Sequence, residues 1–258
     1  MCFEFDAVPP DLPTDIPRAA GGAPAELLEL ESDDGTRFAA AFAGAADGGG
    51  PAVVIYPDVR GLYPFYIELA ERFAEAGHHA VAIDFFGRTA GLGPRGEDFD
   101  YAEHVPQTRP AQVQADTRAA LDAVAERTGE QRAVSVGFCF GGGESFLATT
   151  NRDLGLLGAV GFYPGLVRAR WGLEAPMDRA ADMHGPLLGL FGGADQGITQ
   201  EQIDEFSRRL DDAGVEHEFH VYPGAPHSFF DRRQEEFAEA SEDAWRRVLA
   251  FLAAATNR

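Results

Sequence analysis

Lysine is absent from the sequence, so all 21 basic residues among its 258 are arginines. They are outnumbered by 42 aspartates and glutamates, which leaves a net charge of −21 at pH 7. A surface of this sign repels phosphate groups at close range. The composition therefore argues against nucleic acid and against an anionic membrane as binding partners.

Cysteine is scarce as well, since Cys2 and Cys139 are too few for a disulfide framework. No apolar run comes near the roughly 18 residues that a membrane-spanning helix needs. The N-terminal residues carry neither the basic nor the apolar part of a secretory signal. We therefore expect a cytoplasmic protein, because reducing compartments keep thiols free.

Hydrophobic residues make up 45% of the chain, which is enough for a buried core. Residues 1–23 are rich in proline, alanine and glycine and predict an irregular N-terminal arm. Strand and helix signals then alternate without a repeat or a linker, as is typical of a doubly wound, mostly parallel sheet with helices on both faces. We expect one α/β domain over residues 24–258, present as a monomer or a small homo-oligomer.

The most informative stretch is Gly137-Phe-Cys-Phe-Gly141. It follows a buried strand predicted over residues 133–136 and precedes a helix predicted to begin at Gly142. A glycine on each side permits the sharp turn of a nucleophile elbow, here with cysteine at its centre. The turn would aim the Phe140 N–H at a developing oxyanion and place the positive end of a helix near the sulfur. The alternative is that Cys139 is a small buried hydrophobic residue.

Two further residues follow predicted strands, Asp195 in Gly192-Gly-Ala-Asp195 and His227 in Pro223-Gly-Ala-Pro-His227. Because the carboxyl ends of parallel strands meet at one edge of a sheet, both should lie near the cysteine. The chain order of nucleophile, acid and base is that of hydrolases with a nucleophile elbow. His227 would take the thiol proton and Asp195 would orient the imidazole. Alternatively, Asp195 caps a helix near Thr199.

Other candidate chemistries are weaker. Ser145 and Ser228 lack the glycine spacing of an elbow, which argues against a serine nucleophile. The remaining six histidines lack the spacing of metal ligands, so we predict no metal site.

Several motifs together resemble the dienelactone hydrolase family, from about Glu26 to the C-terminus. They are Val54-Ile-Tyr-Pro-Asp-Val-Arg-Gly61, Ala82-Ile-Asp-Phe-Phe-Gly-Arg88, the elbow, Phe191-Gly-Gly-Ala-Asp195 and Tyr222-Pro-Gly-Ala-Pro-His-Ser-Phe229. The resemblance implies an α/β-hydrolase fold, no cofactor, and hydrolysis of a small ester or lactone. It makes Cys139 the nucleophile, His227 the base and Asp195 its orienter. It also implies an oxyanion hole formed by the backbone N–H groups of Val59 and Phe140.

The sequence departs from the family at two positions. The family has a glutamate that helps to deprotonate the thiol, and this chain has the shorter Asp58 there. The family also has a substrate-binding arginine four residues beyond the catalytic histidine, where this chain has Asp231 followed by Arg232. Candidate substrate-binding residues are therefore Arg232 and side chains of two long stretches, residues 85–110 and 163–184, which we expect to pass over the site. From these stretches we select Arg88, Tyr101, Arg109 and Trp171, with Arg168 and Arg170 as further cations.

Two functions of different kinds remain open at this point. The favoured one is a thiol hydrolase that cleaves a small carboxylic ester or lactone through an acyl-enzyme. The other is a non-hydrolytic redox or ligand-binding thiol protein on the same fold. Asp195 and His227 favour hydrolysis, and a redox role has only Cys2, on the N-terminal arm, as a second cysteine.

Overall fold

The structure is a computed structural model that describes residues 4–18, 24–168 and 171–256. One sheet runs through the described chain. Its strands are β1 (Glu26–Glu31), β2 (Arg37–Ala43), β3 (Ala52–Tyr56), β4 (Ala80–Ile83), β5 (Ala133–Phe138), β6 (Leu156–Phe162), β7 (Leu187–Gly192) and β8 (His217–Tyr222).

The order of the strands across the sheet is β1-β2-β4-β3-β5-β6-β7-β8. β2 runs antiparallel to both of its neighbours, and every later pairing is parallel. The sheet winds outward in both directions from β3 and β5, so the ends of these two strands lie where the strand order reverses. Ligands of open α/β sheets bind at such a point. The predicted doubly wound, mostly parallel sheet is confirmed.

Helices connect most of the parallel strands. They are α1 (Pro64–Glu75), α2 (Gly87–Ala90), α3 (Tyr101–His104), α4 (Pro110–Thr128), α5 (Phe140–Ala148), α6 (Pro176–Arg179), α7 (Gln200–Ala213) and α8 (Ala238–Thr256). The short helices α2 and α3 lie in residues 85–110, and α6 lies in residues 163–184. Among the described residues, no helix is long and apolar enough to cross a membrane.

Alternate residues of the central strands belong to different hydrophobic clusters. Val53 and Ile55 of β3 pack in the cluster that contains residues of α1, whereas Val54 packs with α4. Successive side chains of a strand point to opposite faces, so α1 and α4 cover opposite sides of the sheet. α8 joins α1, because the rings of Phe73 and Trp245 meet at 5.0 Å between centroids.

The arm over residues 4–18 is irregular, as expected, and lies against the body of the protein. The indole N–H of Trp245 donates to the Pro10 carbonyl at 3.1 Å. The Val8 N–H donates to the carboxylate of Asp231 at 3.2 Å. The arm is thus anchored on α8 and on the loop after β8. The division into an arm and a single domain over residues 24–258 stays a prediction.

The turn between β5 and α5 differs from the prediction by two residues on each side. The strand continues to Phe138 rather than ending at residue 136, and the helix begins at Phe140 rather than at Gly142. Cys139 alone therefore makes the turn, with φ 55° and ψ −113°. This left-handed conformation is strained for a residue with a side chain, and such strain is typical of functional sites.

Glycine is needed on each side of the turn because backbone atoms of other residues fill the space that a side chain would take. A Cβ on Gly137 would lie 2.0 Å from the Gly141 carbonyl oxygen. A Cβ on Gly141 would lie 2.1 Å from the carbonyl oxygen of Pro57 and 2.3 Å from that of Tyr56. The elbow is therefore pressed against the end of β3, which carries the loop that contains Asp58.

We expect Gly141→Ala to destabilise the protein by on the order of 3 kcal/mol, because neither backbone carbonyl can move without disturbing β3. Thermal unfolding followed by circular dichroism measures the effect. Gly165→Ala is the matched control, since its Cβ would come no nearer than 3.8 Å to the Cys139 carbonyl oxygen. Equal melting temperatures for the two variants would contradict the assigned contact.

Candidate active site

Cys139 is held at the end of β5 by hydrogen bonds from its own backbone. Its N–H donates to the Phe162 carbonyl of the neighbouring strand at 3.0 Å. Its carbonyl accepts from the N–H groups of Gly165 at 3.0 Å and Gly143 at 3.3 Å. The thiol side chain is partly exposed. The geometry therefore favours a presented nucleophile over a buried hydrophobic residue.

Backbone hydrogen bonds join the loops that carry the acid and the base. After β7, the N–H of Gly193 donates to the Tyr222 carbonyl at 2.8 Å, and that of Ala194 donates to the Ala225 carbonyl at 2.9 Å. Gly192 permits this approach, since a Cβ there would lie 2.4 Å from the Pro226 carbonyl oxygen. The two loops thus bring Asp195 and His227 together across 32 residues of sequence.

Asp195 and His227 form a short hydrogen bond, 2.6 Å from Oδ2 to Nδ1. The other carboxylate oxygen of Asp195 accepts from the N–H groups of Gly197 at 2.7 Å and Ile198 at 3.3 Å. Burial alone would raise the pKa of Asp195, but the bond and charge of His227 and these two N–H groups hold it below its usual value. The helix cap is Thr199 itself, which accepts from the Gln202 N–H.

His227 has an unusually high pKa of about 9. Burial opposes its positive charge, but the charge of Cys139 and the side-chain hydrogen bonds to Asp195 and Cys139 outweigh this effect. Because Nδ1 is bound to Asp195, Nε2 is the nitrogen left to exchange a proton with the thiol. The ring of Tyr163 packs against that of His227, 4.7 Å between centroids. Cysteine, histidine and aspartate therefore form one coupled unit.

The expected oxyanion donors lie on the two segments that meet at the elbow. Phe140 is the first residue of α5, and the first N–H groups of a helix have no acceptor in a preceding turn. Val59 belongs to the loop after β3 and is buried in the same hydrophobic cluster as Phe140. We therefore still expect these two N–H groups to be the donors to a carbonyl oxygen bound to Cys139.

Asp58 is fully buried and bound by an arginine that sequence reasoning missed. Arg60 donates to its carboxylate from the backbone N–H at 2.8 Å and from Nη2 at 2.9 Å. Burial raises the pKa of Asp58, the Arg60 charge lowers it, and the charge of Cys139 raises it again. Asp58 is therefore electrostatically coupled to Cys139, while Arg60 donates hydrogen bonds to its carboxylate. The Asp-x-Arg spacing in Pro57-Asp-Val-Arg60 was the signal available for this pair.

Arg232 contacts the N-terminal arm. Its Nη1 donates to Asp11 at 2.9 Å, and its side chain remains 43% exposed. Asp231, at the family's arginine position, is buried and accepts from the N–H groups of Val8 and Arg233. Both side chains thus hold the arm in place, and neither contact involves Cys139.

The remaining substrate-binding candidates have varied surroundings. Arg88 is bound by Asp116, at 2.7 and 2.8 Å, and by Asp34. Arg109 donates to two backbone carbonyls of its own loop. Tyr101 is 37% exposed at the start of α3. Trp171 is partly buried against the cluster that contains Val59 and Phe140. Arg170 and Cys2 lie outside the described residues.

No cluster of three or more histidine, cysteine or acidic side chains suited to a metal ion occurs in the described part of the chain.

The structure also gives the surroundings of Ser145, one of the two serines considered above as a nucleophile. Ser145 is buried within α5 and shares a hydrogen bond of 2.8 Å with Ser135. Its hydroxyl therefore contributes to packing between α5 and β5.

The sheet order, the elbow and the histidine–aspartate bond define an α/β-hydrolase. Solved structures agree: a crystal structure described as a "putative dienelactone hydrolase" from Klebsiella pneumoniae superposes with a TM-score of 0.75 at 29% identity, covering 88% of this chain and 99% of that one. A puromycin hydrolase superposes at 0.73 with 19% identity over 93% of this chain and 40% of that one, a likeness of fold alone.

The model of the dienelactone hydrolase family matches residues 38–256, and the chain belongs to this family. It is 31% identical over 253 residues to the "putative carboxymethylenebutenolidase" of Methylorubrum extorquens, which spans 95% of this chain and 86% of that protein. It is 28% identical over 265 residues to the carboxymethylenebutenolidase of Rhodococcus opacus, covering 98% and 96%. The chain is thus a carboxylic ester hydrolase.

We expect His227→Ala to shift the reaction of Cys139 with iodoacetamide to higher pH. His227 holds its proton up to a pKa of about 9 in the native site, so below that pH a positive imidazolium faces the sulfur. Without it, labelling should be slow at neutral pH and should increase only toward about pH 8.5, where an ordinary thiol ionises. Second-order labelling rates between pH 5 and pH 10, with Cys139 identified by mass spectrometry, measure the shift.

His220→Ala is the control for this experiment, since His220 lies on β8 beside Asp243 and should leave the labelling profile unchanged. Asp58→Asn tests the second group coupled to Cys139 and should also alter the profile, because it removes a buried charge. Superimposable profiles for the wild type and His227→Ala would disprove the pairing of histidine and thiol.

Proposed function

We propose that this protein hydrolyses a small carboxylic ester or lactone with Cys139 as its nucleophile. The observation that carries the proposal is the coupling of Cys139, on its strained turn, to His227, which is bound to Asp195 at 2.6 Å. The names of the relatives, carboxymethylenebutenolidases, support a lactone or enol ester as substrate. A cytoplasmic location is part of the proposal, because the thiol must stay reduced.

In the proposed reaction, Cys139 has given its proton to Nε2 of His227, whose pKa of about 9 keeps the proton there, and the thiolate adds to the substrate carbonyl. The Val59 and Phe140 N–H groups stabilise the oxyanion. The carbon–oxygen bond of the ester then breaks, and the departing oxygen takes the proton from His227. Water, deprotonated by His227, attacks the thioester, releases the acid and restores the thiolate. Asp195 keeps the imidazole oriented and stabilises its charged form in both halves.

Asp58 acts, in this proposal, on the resting thiol. Its carboxylate is bound by Arg60, and it interacts electrostatically with Cys139. Two interacting negative charges disfavour one another, so a charged Asp58 opposes the thiolate that the imidazolium of His227 favours. Arg60 therefore regulates how strongly Asp58 acts on the sulfur.

We expect Cys139→Ala to lose hydrolysis of 4-nitrophenyl acetate by on the order of 10⁴-fold or more, because the covalent intermediate cannot form. Release of nitrophenol is followed by absorbance, and the thioester is sought by mass spectrometry of the intact protein. Wild-type enzyme should show a burst of product followed by steady turnover.

Cys2→Ala serves as the control and should retain the wild-type rate. Full activity in Cys139→Ala would disprove a cysteine nucleophile. A burst without turnover would instead support the redox or ligand-binding thiol protein, since such a protein has no reason to hydrolyse a thioester.

We expect a neutral short-chain ester to be hydrolysed with a higher kcat/KM than its carboxylated analogue, by about fivefold, the equivalent of one like charge near 4 Å in water. Asp231 takes the place of the family's arginine, and the nearby cations Arg232 and Arg60 are paired with carboxylates. The net charge of −21 adds to the repulsion. Paired kinetics at low and high salt measure the preference, which screening should reduce.

Arg232→Ala provides the control for the charge preference and should leave it unchanged, because its side chain binds the arm. An enzyme that prefers the anion, and loses this preference in Arg232→Ala, would contradict the prediction.

A further inference from the structure

A buried arginine lies directly behind the elbow. Arg168, in the stretch after β6, is 3% exposed. Its Nη2 donates to the Phe140 carbonyl at 2.6 Å, and its guanidinium carbon lies 4.4 Å from the centre of the Phe140 ring. Its Nη1 forms an ion pair with Glu144 of α5, whose side chain is also buried. One arginine thus binds Phe140, whose N–H is an expected oxyanion donor.

The glycines of α5 accommodate this arginine. The elbow itself requires Gly137 and Gly141, but the helix continues with two more glycines. A Cβ on Gly143 would lie 2.3 Å from Nη2 of Arg168. The absence of a side chain there lets the guanidinium reach the Phe140 carbonyl over the first turn of the helix. The third glycine of Gly141-Gly-Gly143 therefore has a role that the elbow motif does not explain.

The same arginine connects the elbow to the loop that borders the site. The Arg168 carbonyl accepts from the Trp171 N–H at 2.9 Å, and Trp171 packs on the cluster that contains Phe140 and Val59. The Gly165 N–H, three residues earlier, binds the Cys139 carbonyl. The stretch after β6 is therefore attached to the elbow at two successive carbonyls, those of residues 139 and 140.

Stability alone does not account for an ion pair in this position. Removing two charges from water is unfavourable, and a well-packed apolar pair is often equally stable. What the pair provides is a fixed orientation, because a guanidinium with several fixed partners restrains each of them.

We propose that Arg168, supported by Glu144, is a positioning residue for the oxyanion hole. It acts through Phe140, whose carbonyl and ring it holds in place, so that the backbone of this residue stays fixed and its N–H stays aimed at the oxygen that develops on the acylated Cys139. This inference rests on the proposed function and extends it to a residue that does not touch substrate.

Arg168→Met tests the proposal with 4-nitrophenyl acetate as substrate. Because a donor displaced by a fraction of an ångström loses much of its effect, we expect kcat to fall by about 10- to 100-fold while KM stays within about threefold. Labelling of Cys139 by iodoacetamide forms no oxyanion, so its rate and pH profile should remain those of the wild type. Arg168→Lys should recover part of kcat, since an ammonium reaches Glu144 or Phe140 but not both.

The double variant Arg168→Met/Glu144→Gln distinguishes a loss of oxyanion-hole positioning from a loss of folding stability. It leaves no unpaired buried charge, so we expect its melting temperature to recover toward the wild-type value while kcat stays low. Arg72→Gln, which loses ion pairs on α1 far from Phe140, is the control and should keep wild-type kcat.

Three outcomes would overturn the proposal: wild-type kcat in Arg168→Met, recovery of kcat together with stability in the double variant, or a loss of labelling that parallels the loss of kcat. Failure of the proposed function itself has a different signature. In that case Cys139→Ala would retain hydrolysis, whatever the Arg168 variants do.

Discussion

The close approach of the elbow to the end of β3 is the contact on which the rest of the site depends. Gly141 lies against the carbonyl oxygens of Tyr56 and Pro57, with no room for a methyl group between them. This contact brings the loop that carries Asp58 and Val59 to the elbow that carries Cys139. It also forces the whole turn onto one residue, Cys139, whose positive φ presents the thiol. The adjacent strands then complete the site, because β6 binds the elbow backbone and the loops after β7 and β8 bind each other.

Charge neutralisation is the second general feature of the molecule. Acidic residues are in large excess, and the arginines beside the site are bound by carboxylates or by backbone carbonyls. Arg60 binds Asp58, and Arg168 binds Glu144 and a backbone carbonyl. A guanidinium that is already satisfied offers little to an anionic substrate, since binding one requires breaking an existing pair. A chain of this family can therefore keep the fold and still differ from its relatives in the charge of the molecules that it accepts.

The parts of the site that sequence patterns predicted are those determined by local geometry. The elbow needs glycine on both sides of Cys139, and Asp195 and His227 directly follow strand ends, so spacing alone identified all three. The partners of the arginines were not predictable in this way. Whether Arg232 faces the site or the arm depends on where residues 4–18 dock, and the burial of Arg168 depends on how an irregular stretch folds over α5. Contacts of this kind have no period and no fixed separation along the chain. The start of α5 was misplaced for a related reason, because glycine runs predict a loop and here begin a helix.

The N-terminal arm has a consequence for the order in which the molecule forms. Pro10 accepts its hydrogen bond from Trp245, 235 positions away in the chain, and Val8 binds Asp231, 223 positions away. A ribosome therefore adds 235 residues after Pro10, and 223 after Val8, before these partners of the arm exist. Contacts between residues so far apart in sequence form late and slowly. Until then, Leu12 and Trp245, which are buried in the native protein, remain open to water and to other chains. The docking of the arm on α8 is thus a late step of folding, and it takes place beside the loop that carries His227.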